Sequence, residues 1–188
     1  MSGSQRRTYN RRHNRKTDQP LRITFISPPP NLSGGERVVA IYADRLRARG
    51  HDVLVVAARP RVPDWKAHLK AWTRGKTLPK PPMETHYDRM QTPLHLLNHG
   101  GPVTAADVPD ADVVIATWWE TAFMVATFPP EKGRKLYFVQ HHEVHDHLPV
   151  HLSAGSYHLP LKKITISGWL RDTMAETYGD HDVALVPN

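Results

Sequence analysis

Apolar residues along the chain gather in short, nearly continuous runs: Leu21 to Ser27, Val53 to Ala58, Ala111 to Thr117, Lys135 to Gln140, Lys163 to Ser167 and Val183 to Pro187. Runs this short, apolar on both sides, predict strands buried on both faces, the habit of parallel sheets. Between the first two lies an amphipathic stretch, Arg37 to Arg49, with Val38, Val39, Ile41, Tyr42 and Leu46 on one side. Arg37, Asp44, Arg45 and Arg49 fall away from that side, and Gly50 stops the helix. Further helices are predicted from about Trp119 to Phe128 and from Gly168 to Tyr178, the latter with Leu170, Met174 and Tyr178 inward. Between residues 59 and 110 the prolines at 60, 63, 79, 81, 82, 93, 102 and 109 loosen the pattern. That region is expected to hold a short helix near Asp64 to Thr73 and short strands near Thr85 to Arg89 and Leu94 to Leu97. Strand and helix alternate, which predicts an α/β fold with a doubly wound, mainly parallel sheet, Leu21 to Ser27 central, and right-handed crossovers.

The loop leaving that first strand reads Pro28-Pro-Pro-Asn-Leu-Ser-Gly-Gly-Glu36. Gly34 and Gly35 leave backbone N–H groups uncovered where the next helix begins, and a helix start attracts anions through unpaired amides and its dipole. Ser33 and Glu36 also have capping-box spacing, which accounts for both with no ligand. It does not account for two adjacent glycines, each costly to order unless unusual dihedrals or a close approach require them. Phosphate or substrate contact and plain capping both stand at this point.

Composition narrows the classes. The 188 residues, 39% hydrophobic and without a run near the roughly 20 apolar residues a spanning helix needs, describe one domain able to bury a core. With no cysteine there is no thiol chemistry or Cys-based zinc site, and a cytoplasmic location is the simplest expectation. The net charge of +7 is uneven: residues 1–20 carry +5, residues 59–90 another +5, and the remainder −3. The Arg-rich stretch 1–20, with almost no apolar side chains, is expected to be a disordered basic tail. It reads as a solubilising tail or as one drawn to anionic lipid or nucleic acid.

The strand ending at Gln140 empties into a loop holding His141, His142, Glu143, His145, Asp146 and His147. His-His-Glu-Val-His misses the zinc-hydrolase pattern His-Glu-x-x-His by one position, so no metal is expected. The glycine loop lacks the dinucleotide fingerprint, and the second strand ends in Ala57, Ala58 and Arg59 rather than an acidic residue. There is no Walker lysine after the glycines and no Gly-x-Ser-x-Gly elbow. At the C-terminal strand ends, where ligands sit in such sheets, Ser33 to Glu36, Thr117 to Glu120, His141 to Glu143 and Ser167 to Trp169 are expected on one rim. Thr117 and Glu120 repeat the capping-box spacing.

These pieces carry a resemblance. Asn31-Leu-Ser-Gly-Gly35, His141-His142-Glu143, Ile164-Thr-Ile-Ser-Gly-Trp-Leu170 with Tyr178-Gly179, and Val183-Ala-Leu-Val-Pro-Asn188 occur in the order found in family 4 retaining glycosyltransferases. The chain over 21–188 resembles the N-terminal, Rossmann-like half of their GT-B fold. In that family Val-Pro-Asn continues into a second domain, so the donor-binding half is expected beyond this chain. The resemblance implies sugar transfer from a nucleotide-sugar to a glycan, lipid-linked or small-molecule acceptor, with retention, for the intact protein; this fragment alone is expected to be inactive. It places Ser33, Gly34, Gly35 and Glu36 at the donor diphosphate and His141 or His142 at the reacting centre. Trp118, Trp119, Glu120, Glu143 and Ser167 then face the acceptor.

No cofactor or metal is implied, because helix-terminus and basic groups stabilise the diphosphate leaving group. The partners are the nucleotide-sugar, the acceptor and the missing C-terminal domain. Peripheral contact with the inner membrane surface stays open, and no specific nucleic acid is expected. The alternative reading is a non-catalytic α/β binding module whose basic tail engages nucleic acid or a membrane surface.

Overall fold

The structure, a computed structural model, describes residues 19–60, 65–75, 77 and 84–187. The expected basic tail up to residue 18, the start of the expected helix at Asp64, and Asn188 lie outside the described residues. Seven strands form one sheet: β1 (Arg22–Ser27), β2 (Asp52–Ala57), β3 (Leu94–Leu96), β4 (Val113–Ala116), β5 (Arg134–Val139), β6 (Lys162–Thr165) and β7 (Ala184–Leu185). Their order is β3-β2-β1-β4-β5-β6-β7, and every neighbouring pair is parallel. β1 lies inside the sheet, between β2 and β4, as its two-sided apolar run predicts. Chain order reverses there, so the crevice beyond the C-terminal ends of β1 and β4 is the topological switch point.

Among the described residues five α-helices accompany the sheet: α1 (Gly34–Ala48), α2 (Trp65–Trp72), α3 (Trp119–Ala126), α4 (Val150–Ser156) and α5 (Gly168–Tyr178). Alternate residues of a strand point to opposite faces. Ile23 and Phe25 of β1 accordingly pack with Val39, Ala40 and Ala43 of α1, whereas Ile26 joins Ala122 and Val125 of α3 and Leu170 and Met174 of α5. Helices cover both faces, and the fold is the expected Rossmann-like, doubly wound α/β.

Local departures have local causes. The stretch expected as a strand at Thr85 to Arg89 is a one-turn 3-10 helix, His86–Arg89. Asp88 turns back to accept the Thr85 N–H at 2.7 Å, and this side-chain bond competes with a ladder. α4 escapes the apolar pattern because its buried residues, Ser153 and Ser156, are polar. α1 starts at Gly34, three residues before its amphipathic stretch. Asp44, expected to face away, instead accepts from the Thr92 N–H at 2.8 Å and hydroxyl at 2.7 Å, anchoring the loop before β3. Lys163 of β6 is buried with its ammonium 2.6 Å from Asp180.

Candidate functional site

The corner after β1 is built by short polar side chains. Asn31 Oδ1 accepts the Ser33 N–H at 2.6 Å, and Ser33 Oγ accepts the Glu36 N–H at 3.3 Å. Glu36 does not close a capping box on Ser33; its Oε2 accepts the Asn31 N–H at 2.6 Å. The first intrahelical donor is the Arg37 N–H, to Ser33 O at 3.3 Å, so the amides of Gly34 and Gly35 are the two that the helix leaves over.

Those glycines are not needed for their dihedrals, since neither has positive φ. Nor are they needed for packing. A Cβ on Gly34 would meet nothing within 4 Å, and one on Gly35 would be 3.8 Å from the Gln140 side chain, an ordinary contact. Gly133 is the opposite case: its φ is +94 and a Cβ would fall 2.5 Å from the Asp112 carbonyl carbon. Of the two readings of the glycine pair, strained backbone is removed and open backbone beside a cleft remains.

The cleft, ≈ 430 Å³, lies between this corner, Thr117 and Trp118 at the end of β4, and Gln140, His141 and Glu143 beyond β5. Three of the four expected rim stretches therefore meet. Glu36 is 3% exposed, and its Oε1 has no hydrogen-bond partner. Burial pushes its carboxyl up to about 7 against the pull of the Asn31 N–H. Glu143 is equally buried and reaches about 8 for the same reason, opposed by the Trp119 N–H at 2.9 Å and the Tyr137 hydroxyl at 3.2 Å. Near neutral pH both carboxyls hold a proton for much of the time and can donate a hydrogen bond. His141 is exposed on the cleft wall with Nδ1 3.0 Å from the His142 carbonyl. If Nδ1 carries the proton of the neutral ring, Nε2 is left as an acceptor.

No protein-family model matches the chain, and no curated protein matches it.

The other expected site residues are placed elsewhere. The His142 ring is half-buried, stacked on Tyr157, with Nε2 2.7 Å from the Tyr178 hydroxyl. Burial, followed by the His141 and His145 charges, holds its pKa below the ordinary value. Trp119 is buried, supplying its backbone N–H to Glu143, and Glu120 is exposed. The capping spacing of Thr117 and Glu120 is not used: Thr121 Oγ1 accepts the Thr117 and Trp118 N–H groups at 3.0 and 2.9 Å. Ser167 caps α5, accepting the Leu170 N–H at 3.3 Å, and does not line the cleft.

Gln140 is one of the cleft residues outside the expected set, with Ser27, Val38, Val39 and Ile166, and its Oε1 is likewise buried without a partner. An amide directly after the apolar second half of β5, Leu136 to Val139, is the available signal. Among the described residues, no three His, Asp or Glu side chains are grouped to hold a metal ion.

Proposed function

We propose that the chain is the acceptor-side domain of a retaining glycosyltransferase of the GT-B type, similar to family 4. In this reading a second α/β domain brings the nucleotide-sugar to the cleft. The observation that supports it is the glycine corner: two helix-opening residues whose missing side chains serve neither dihedral nor packing, beside two buried, unpartnered side-chain oxygens. The donor diphosphate would lie against the Gly34 and Gly35 amides at the positive end of α1. Protonated Glu36 would donate from its free oxygen to a phosphate or sugar oxygen. His141 stands on the cleft wall where the sugar would react, and Trp118 offers an aromatic face to the acceptor. His142, Trp119, Glu120 and Ser167 lie outside the cleft lining.

The test compares Gly35→Ala with Ser33→Ala in the enzyme assembled with its donor domain. The added methyl meets nothing closer than 3.8 Å, so the fold should tolerate it. Turnover of Gly35→Ala should fall on the order of a hundredfold, the scale of misplacing reacting groups by about an ångström. Equal, small losses in both variants would remove the reason for placing the active site here.

A further inference from the structure

Among the described residues, the two most exposed large apolar side chains are the tryptophans of α2. Trp65 and Trp72 are 70% and 77% exposed and Leu69 is 51% exposed. Positions i, i+4 and i+7 fall on one stripe of a helix, so the three make a continuous apolar face. Folded proteins seldom leave such a face unmatched.

The flanks are uniformly basic. Lys66 and Lys70 are exposed i, i+4 neighbours on the helix and Arg74 follows it, while no acidic residue occurs from Trp65 to Thr77. The Lys66 ammonium lies 5.8 Å from the Trp65 ring centre, so charge and apolar surface adjoin. Ala71, a small residue, is buried on the same helix. Two tryptophans and a leucine with lysines beside them suit the boundary between lipid headgroups and acyl chains. There indole rings sit at headgroup depth, and lysine stems reach back to the phosphates. One weak anchor binds reversibly and stable attachment takes a second signal; the six Lys and Arg of residues 1–20 supply cationic charge on the same chain.

We propose that α2 docks the protein on an anionic lipid bilayer, with Trp65, Leu69 and Trp72 entering the headgroup boundary and Lys66, Lys70 and Arg74 meeting lipid phosphates. The proposal does not depend on the glycosyltransferase reading. The test is flotation of the full chain with phosphatidylcholine vesicles, with and without phosphatidylglycerol. Binding is expected with phosphatidylglycerol, weakening as salt rises. Trp65→Ala with Trp72→Ala should reduce partitioning at least tenfold, and Lys66→Glu with Lys70→Glu about fivefold or more per lysine. Unchanged melting temperatures would confirm that the variants fold.

Wild-type failure to float overturns the proposal. So does full binding by the double tryptophan variant, which assigns attachment to the tail alone, or equal binding to neutral vesicles. A concentration-dependent dimer lost in Trp72→Ala, with no vesicle binding, would make the face a contact between copies and also overturn it. Should the double variant be unstable, quenching of wild-type tryptophan emission by brominated acyl chains decides: its absence refutes insertion.

Discussion

Two buried glutamates line the cleft, and they are alike in burial and protonation but not in what they hold. Glu143 joins separate elements: its carboxyl takes the first amide of α3 and the Tyr137 hydroxyl of β5, while its own N–H donates to the Tyr157 hydroxyl after α4 at 2.8 Å. Glu36 bonds only within its own loop, to Asn31, and keeps one oxygen unpaired. Similar proton affinity therefore does not mean similar purpose. Glu143 ties the rim together, and Glu36 is the one with capacity left for a ligand.

Removing the two carboxyls should separate them most sharply. Glu143→Ala strands the buried Trp119 amide and leaves the Tyr137 hydroxyl only the longer contact to Ser156 Oγ at 3.4 Å, so unfolding free energy should drop by about 2–4 kcal/mol. Glu36→Ala strands only the Asn31 amide and should cost about 1 kcal/mol. Urea denaturation of both variants measures the difference; equal losses would erase the distinction.

The pH dependence comes next in size. Both carboxyls release their proton near 4.5 when unfolded but keep it to about 7 (Glu36) and about 8 (Glu143) when folded. The unfolded state thus binds fewer protons within each window, and stability falls as pH rises through it. Below 4.5 neither contributes, and above the folded value the loss is complete, on the order of a few kcal/mol. His142, held below its ordinary value by burial, acts with the opposite sign, because its unfolded form takes up the proton first as pH falls. Glu143→Gln should flatten the fall over the wider window and Glu36→Gln over the narrower. Unfolding curves at about pH 5 and about pH 9 check this, and unchanged slopes would contradict protonated carboxyls.

Smaller effects refine the role of Glu36. An amide at its free position donates at any pH, so Glu36→Gln should keep turnover within about tenfold and hold it above pH 7, where the wild type declines. Loss as deep as in Glu36→Ala would mean that the anion is required instead. Smallest of all is Ser33→Ala, which removes one cap bond and should cost about 1 kcal/mol by thermal melting.

The strands and α5 were legible because their signals are local: two-sided apolar runs, and for α5 a Ser167 cap with a left-handed Gly179 at the far end. The corner at Ser33 to Glu36 was legible as a candidate for the same reason. α4 was not, since its inward positions, Ser153 and Ser156, are polar and leave no apolar period; their hydroxyls bond back to Val150 O and Ser153 O, and Ser156 Oγ also lies 3.4 Å from the Tyr137 hydroxyl. The acceptor-side expectation at Glu120 also failed to reach the cleft, because Thr121 rather than Glu120 turns back to the start of α3.

What the sequence by itself determined is the alternation of buried strands and amphipathic helices, because burial on a strand or helix follows its own period. The tertiary structure alone decided which side chains share the cleft. Glu36, Trp118 and Glu143 are far apart along the chain, and the parallel alignment of β1, β4 and β5 brings their loops to one rim. It also decided that His141 lines the cleft while its neighbour His142 turns to Tyr178. Only the fold could raise the two glutamates, since desolvation depends on which atoms surround a carboxyl and not on which residues flank it in the chain.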